Sequence, residues 1–234
     1  MLTVVVIAKE CVPGRVKTRL TPALSYEQAA SVAFASLTDT LEAVNHIAAT
    51  RRILAFDGNP DNAPDEADGF EIIQQACGGL DTRLAAIFDQ CTGPTLLVGM
   101  DTPQLTAADL NAAARGMQLA AQHGDAASAW LGFANDGGFW ALGMTHPDGD
   151  HIRGVAMSQH NTGRVQLERL LDAGLEVSLL SELIDVDTFA DAVDVAALAP
   201  HSRFARAFAA AVRAPELVPA PATRPVVAHT AARP

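Results

Sequence analysis

VVVIAKECVPGRVKTRL, residues 4–20, is the stretch on which the reading of this chain turns. Its apolar start belongs to a longer run, LTVVVIA at residues 2–8, rich in β-branched side chains. Such a run is the pattern of a strand buried on both faces, as in a parallel sheet. It has no basic n-region and no small-residue cleavage site, so it reads as a strand and not as a signal peptide. Lys9, Arg15, Lys17 and Arg19 then place four cations in eleven positions, and Lys9 and Lys17 are the only lysines in the chain. No basic residue follows until Arg51, although the formal net charge is −11.

Cations gathered after a buried strand, on an acidic background, mark a site for a polyanion, foremost the phosphates of a nucleotide. Pro13-Gly14 breaks the chain there, and Gly14 allows close approach of backbone to ligand. Lys17 and Arg19 alternate with Val16 and Thr18, which predicts an extended, exposed segment aiming both cations to one side. A solvated basic loop paired with surface acids is the competing reading; the acidic background favours the phosphate site. The loop is not a Walker A motif, because GRVKT lacks the required glycine spacing.

Outward from this stretch, strands are predicted over residues 51–56, 70–75, 94–100, 127–134, 138–144 and 175–180. Helices are predicted over 25–48, 82–91, 106–123 and 162–173, with a short one from Thr188. Ser25 with Gln28 forms a capping-box start, and Thr188 with Asp191 opens the short helix. Alternating strands and helices give an α/β fold whose mainly parallel mixed sheet is flanked by helices. Residues 200–213 read as a C-terminal helix, and the Pro/Ala-rich segment 214–234 as a disordered tail.

Composition narrows the classes. Hydrophobic residues make up 49% and charged residues 18%, which suits one globular domain with a buried core. No apolar run is long enough to span a bilayer. The acidic balance argues against a nucleic-acid surface, which needs clustered basic residues. Cys11, Cys77 and Cys91 are odd in number and lack zinc spacing, which fits a reduced, cytoplasmic protein.

Four further motifs carry chemistry. In LLVGMDTPQL, residues 96–105, a buried strand delivers Asp101 to the carboxyl edge of the sheet. A carboxylate facing phosphates there suits Mg²⁺ or Mn²⁺; an Asx turn or helix cap is the alternative. NDGG at 135–138 signals a hairpin between two strands, with Asp136 at its turn and Trp130 and Trp140 as either pocket walls or core. In LIDVDTFAD, residues 183–191, Asp185 and Asp187 share a face, as metal ligands or as surface acids near a helix N-terminus. Gly78-Gly79 leads into a helix whose free amides suit a base or phosphate, with Arg83 one turn in. Met157–Gly163 is a polar loop placed to line an acceptor.

In this order, AKECVPGRVKTRL, GGLDTRL, GMDTPQLT, LGFANDGGFWALG and DVDT resemble the bacterial glycosyltransferases of the GT-A, or nucleotide-diphospho-sugar transferase, superfamily. The resemblance covers roughly residues 3–198, and members are often labelled arsenosugar-biosynthesis or selenium-associated glycosyltransferases. A more distant likeness runs to 2-phospholactate and molybdenum-cofactor guanylyltransferases. The resemblance implies a single GT-A, Rossmann-like domain over residues 1–199. It also implies that Lys17 and Arg19 hold the nucleotide phosphates, that Asp101 ligates Mg²⁺ or Mn²⁺, and that Asp187 is a second metal or acceptor-side residue. Two departures stand out. The glycine-rich loop of the molybdenum guanylyltransferases is absent, and His160-Asn161-Thr162 stands where relatives carry Trp-Gly-Thr.

These readings converge on a metal-dependent transferase using a nucleotide or nucleotide-sugar donor and a small-molecule acceptor. Asp101, Asp136 and Asp187 are the expected catalytic carboxylates, with Asp101 and Asp187 on the metal. Lys9, Gly14, Arg15, Lys17, Arg19, Gly79 and Arg83 are expected on the donor. The alternative is a nucleotide-binding module without turnover; glycosidase chemistry would leave the cationic loop unexplained. A homo-oligomer is compatible with the sequence.

Overall fold

A computed structural model of the chain describes residues 1–123 and 128–213. The Pro/Ala-rich tail from residue 214, and residue 127 at the start of a predicted strand, lie outside the described residues. The elements run β1 (Thr3–Lys9), α1 (Tyr26–Asn45), β2 (Arg51–Asp57), β3 (Glu71–Gln74), α2 (Leu80–Asp89), β4 (Thr95–Val98) and α3 (Ala107–His123). They continue with β5 (Ser128–Ala134), β6 (Phe139–Met144), α4 (Thr162–Asp172), β7 (Glu176–Leu183), α5 (Phe189–Leu198) and α6 (Arg203–Arg213).

One seven-stranded sheet has the order β3-β2-β1-β4-β6-β5-β7. β6 runs antiparallel to β4 and β5, and the remaining pairings are parallel. The chain first winds from β1 outward through β2 and β3, then returns to add β4 on the other side of β1. That reversal leaves a crevice beyond the carboxyl ends of β1 and β4, where ligands of open α/β sheets are held.

The alternation along β1 divides the core. Val4, Val6 and Ala8 pack with Leu37, Leu41 and Val44 of α1 and Leu110 and Met117 of α3. Val5 faces the other side, among Leu84, Ile87 and Phe88 of α2 and Leu170 of α4. Both helix starts singled out by capping boxes are built as expected, with Ser25 paired to Gln28 and Thr188 to Asp191. A third cluster joins Leu20 and Leu24 to Val186, Val195, Phe204 and Phe208. It fastens the end of the cationic loop to the segment before α5 and to α6, bringing the first and last motifs of the sequence together.

Candidate active site

A cavity of about 350 Å³ opens at the crevice between β1 and β4. Lys9 at the end of β1, Asp101 beyond β4, Gln75 and Arg83 from one rim, and Asp136 and Met157 from the other all line it. Of the four loop cations, Lys9 alone belongs to this wall among the described residues.

Main-chain hydrogen bonds fix the acidic side of the site. Val186 donates its backbone N–H to the Asp101 carbonyl at 3.0 Å. Asp185 donates its backbone N–H to Asn135 Oδ1 at 2.9 Å, tying this segment to the β5–β6 turn. Val186 is 1% exposed and packs into the third cluster, so Asp185 and Asp187 project to the other side, as their spacing predicts. Asp136 Oδ1 accepts the Gly138 N–H at 2.8 Å, an Asx turn that holds this carboxylate in the hairpin. Asp136, Asp185 and Asp187 each bring a carboxylate oxygen within 4.8 Å of the other two.

These residues fit a divalent cation. Asp185 Oδ1 is buried and accepts no hydrogen bond from the described residues. An unsatisfied buried carboxylate oxygen is costly, and a hard cation shared with Asp136 and Asp187 would satisfy it. Burial, then the Asp101 carboxylate, pushes the Asp185 carboxyl up to about 8, with Lys17 pulling the other way.

Lys17 departs from expectation in two ways. Its side chain is only 8% exposed, not displayed on a loop surface. Its backbone is left-handed, φ 46° and ψ 38°, and Thr18–Leu20 form a 3₁₀ turn in place of an extended segment. The apolar neighbours account for both. Val16 packs against Ala30 and Ala33, Leu20 is buried with Val186, and Lys17 between them is turned inward. Its Nζ lies 2.7 Å from Asp101 Oδ1, 3.4 Å from Asp187 Oδ1 and 3.8 Å from Asp185 Oδ1. Burial opposes the charged ammonium, but the three carboxylates outweigh it and hold the lysine above its ordinary pKa. Arg19, 74% exposed, reaches Asp187 Oδ2 at 3.1 Å. The two cations expected on phosphate therefore converge on one side, but onto acids.

The opposite rim holds the α2 start. Gly79 is the N-cap and has no side chain to cap with; instead the Asp81 carboxylate accepts backbone N–H bonds at this helix start, and Gly154 donates to it at 3.0 Å. Arg83 donates to Asp57 Oδ2 at 2.8 Å, Gly78 O at 3.1 Å and Gln75 Oε1 at 3.3 Å. Gln75 in turn donates to the carbonyls of Ala8 at 2.7 Å and Ala55 at 2.9 Å. It closes the ends of β1 and β2 and braces Arg83, a role sequence reasoning missed; its one signal was an amide, following Gln74, at the last position of the strand predicted over 70–75. Gly14 adopts φ +76° in the loop, and the Arg15 side chain is exposed.

Trp140 lines the cavity while its Nε1 donates to Ser181 O at 3.0 Å; Trp130 is a core residue. The turn and the 157–162 loop meet closely. Gly137 has φ +88°, and a Cβ there would lie 1.9 Å from His160 O. Burial of the Cys11 thiol, followed by the Asp101 carboxylate, raises its pKa to about 12.

The fold is that of the nucleotide-diphospho-sugar transferases, the GT-A-like class. A protein from Desulfovibrio desulfuricans G20, provisionally described as a nucleotide-diphospho-sugar transferase, superposes with a TM-score of 0.74 at 22% identity over 91% of this chain and 96% of its own. A CMP:2-keto-3-deoxy-manno-octonic acid synthetase complexed with CTP gives 0.56 at 12% identity over 85% and 98%. Glucosyl-3-phosphoglycerate synthase from Mycobacterium tuberculosis, in complex with Mn²⁺, UDP and glucosyl-3-phosphoglycerate, gives 0.50 at 8% identity over 82% and 74%. The chain itself belongs to a bacterial family, DUF2064, described as "Uncharacterized protein conserved in bacteria", whose model matches residues 40–159. No curated protein matches the sequence. Among the described residues, no helix is long and apolar enough to cross a membrane.

Proposed function

We propose that this protein is a metal-dependent transferase acting on a nucleotide or nucleotide-sugar donor, moving a glycosyl or nucleotidyl group to a small acceptor. The observation that carries the reading is the meeting of Asp136, Asp185 and Asp187 beside a cavity at the switch point of the sheet, with Asp185 Oδ1 buried, without a hydrogen bond and 3.8 Å from Lys17 Nζ. The fold shared with proteins that hold CTP, or UDP with Mn²⁺, supports it.

In this reading the donor lies across the crevice. Its base or sugar occupies the cavity, and its phosphates meet Lys9, the Gly79 end of α2 and Arg83. Arg83 reaches them as a planar fork already held by three acceptors, so little freedom is lost on binding. Arg15, Arg19 and the Gly14 backbone approach from the loop, and Lys17 neutralises the acids beside them. Asp136, Asp185 and Asp187 would hold Mg²⁺ or Mn²⁺, with Asp101 beside them. Bound there, the cation supplies positive charge against the donor diphosphate. Fixed charges aimed at a diphosphate that gains charge during transfer lower the barrier without reorganisation. Asp136 sits both in the cavity wall and in the acidic group, placed to accept the proton of an acceptor hydroxyl. The acceptor enters along the 157–162 loop, where His160 and Asn161 replace the Trp-Gly of relatives.

A thermal-shift panel of nucleotides and nucleotide sugars, each with and without Mn²⁺, tests this. A ligand at a hundred times its dissociation constant stabilises by about 2.7 kcal/mol, so a shift with one nucleotide class that grows with Mn²⁺ is expected. No shift with any of them overturns the proposal. A shift indifferent to Mn²⁺ and unchanged by Asp185→Asn indicates a binding module instead.

A further inference from the structure

We propose that Lys17 is the resident counter-ion of the acidic cluster. In the donor-free protein its ammonium takes the place that a divalent cation needs on Asp185 and Asp187, so a cation binds tightly only once Lys17 has been drawn away. This deepens the metal-dependent reading above and rests on it.

The geometry around Nζ carries the inference. Two of the three carboxylates that could hold a cation, Asp185 and Asp187, already face the ammonium at 3.8 and 3.4 Å, and Asp101 holds it at 2.7 Å. The other oxygen of Asp187 is engaged by Arg19 at 3.1 Å. A dication seated among the same oxygens would lie within a few ångströms of a positive charge. Like charges at such separations repel by several kcal/mol even at an effective dielectric of about 20. Ammonium and dication therefore exclude one another.

The acids cannot make room by moving. The 185–187 segment is bonded through its backbone to Asp101 and Asn135, and Val186 is packed in the third cluster. Lys17 can move, because its four-carbon stem lets Nζ travel while the backbone stays fixed. It leaves the acids at little electrostatic cost only if another anion receives it. A donor diphosphate in the crevice, beside Lys9, is the anion of the right chemistry. Lysine would thus pass from carboxylates to phosphates as the cation enters. Donor and cation would each raise the other's affinity by the same factor, as linkage requires.

The test uses the full chain and Mn²⁺ alone. Calorimetric titration is compared for the wild type and Lys17→Met, which keeps the length of the stem without its charge. Lys17→Met is expected to bind Mn²⁺ roughly tenfold or more tightly than the wild type; equal or weaker binding overturns the inference. A second measurement needs no variant. The chain has two lysines, and the exposed Lys9 is an internal reference for amine acetylation followed by mass spectrometry. Lys17 is expected to react far more slowly than Lys9 until saturating Mn²⁺ raises its relative rate, roughly tenfold. Mn²⁺ that binds while Lys17 stays protected overturns the inference alone. Failure of both proteins to bind Mn²⁺, with no Mn²⁺-dependent nucleotide shift, overturns the metal reading with it.

Discussion

The backbone N–H of Val186 is bonded to the carbonyl of Asp101 at 3.0 Å, joining the first acidic segment of the site to the last. The bond is main chain to main chain, so the spacing of the acids is set by the fold and not by their own repulsion. Val186 also packs, 1% exposed, against Leu20 and the α5–α6 pair. One residue thus fixes both the acids and the end of the cationic loop. Val186→Ala is expected to destabilise the protein by about 1–3 kcal/mol, the usual cost of truncating a buried aliphatic side chain. Urea denaturation measures this, and a loss under about 0.5 kcal/mol would show that the segment is held by the backbone alone.

Asp185 sets a pH dependence. Its carboxyl, ordinarily near 3.8, is raised to about 8 in the folded protein, first by burial and then by Asp101. Between those values the folded state binds a proton that the unfolded chain has released, so stability falls as pH rises across this window. One group contributes at most ~1.4 kcal/mol per pH unit. Asp185→Asn removes that slope, and without metal the variant is expected to exceed the wild type in stability at pH 8. Cation binding must expel the same proton, so Mn²⁺ affinity of the wild type rises with pH up to about 8 and levels beyond. Melting temperatures of both proteins across this range, with and without Mn²⁺, provide the check. Parallel curves would remove Asp185 from this role.

Cysteine reactivity reports on the same corner. Cys77 is exposed in the loop before α2, while Cys11 is partly buried and Cys91 buried. Burial and the neighbouring Asp101 raise the Cys11 thiol to about 12, leaving on the order of one molecule in ten thousand as thiolate at pH 8. Iodoacetamide at pH 8 is expected to label Cys77 first and Cys11 at least a hundredfold more slowly. Peptide mapping over time decides it; comparable rates for the two would mean that the corner is open to solvent.

How far the sequence showed all this depended on the range of the interaction concerned. The β1 run, the capping boxes at Ser25 and Thr188 and the hairpin at Asn135–Gly138 are local signals, and each formed where it was expected. Asp185 and Asp187 flank the buried Val186 in a tight turn, where the Asp187 N–H bonds the Asp185 carbonyl at 3.0 Å, so that local pairing was legible too. Lys17 was misplaced because its direction is decided by Val16 and Leu20, whose partners Ala30 and Val186 lie elsewhere in the chain. Alternation within the loop could not register that pull. The same limit hid Gln75, whose two acceptors sit on β1 and β2. The bond between the Asp101 carbonyl and Val186 has no side-chain signature at all.

The junction between the hairpin and the 157–162 loop supplies a controlled pair of substitutions. Gly137 has φ +88°, and a Cβ there would lie 1.9 Å from the carbonyl oxygen of His160. Gly174, after α4, has φ +81°, with nothing within 4 Å of the same position. Both substitutions to alanine incur the cost of a left-handed backbone, roughly 1–2 kcal/mol. Only Gly137→Ala must also force two backbone segments apart. The Gly163 N–H bonds Gly137 O at 2.8 Å at this junction, and the Asp136 carboxylate is held by the same turn. Displacement there moves an acid of the site as well as the loop proposed to meet the acceptor. Gly174→Ala is therefore expected to lose modest stability and keep Mn²⁺ binding unchanged. Gly137→Ala should lose at least about 1 kcal/mol more, since overpacking a fixed contact adds about that much or more, and should bind Mn²⁺ several-fold more weakly. Denaturation and Mn²⁺ titration of the two variants side by side separate backbone strain from displacement of the site. Equal losses in both would mean that the hairpin yields without moving Asp136.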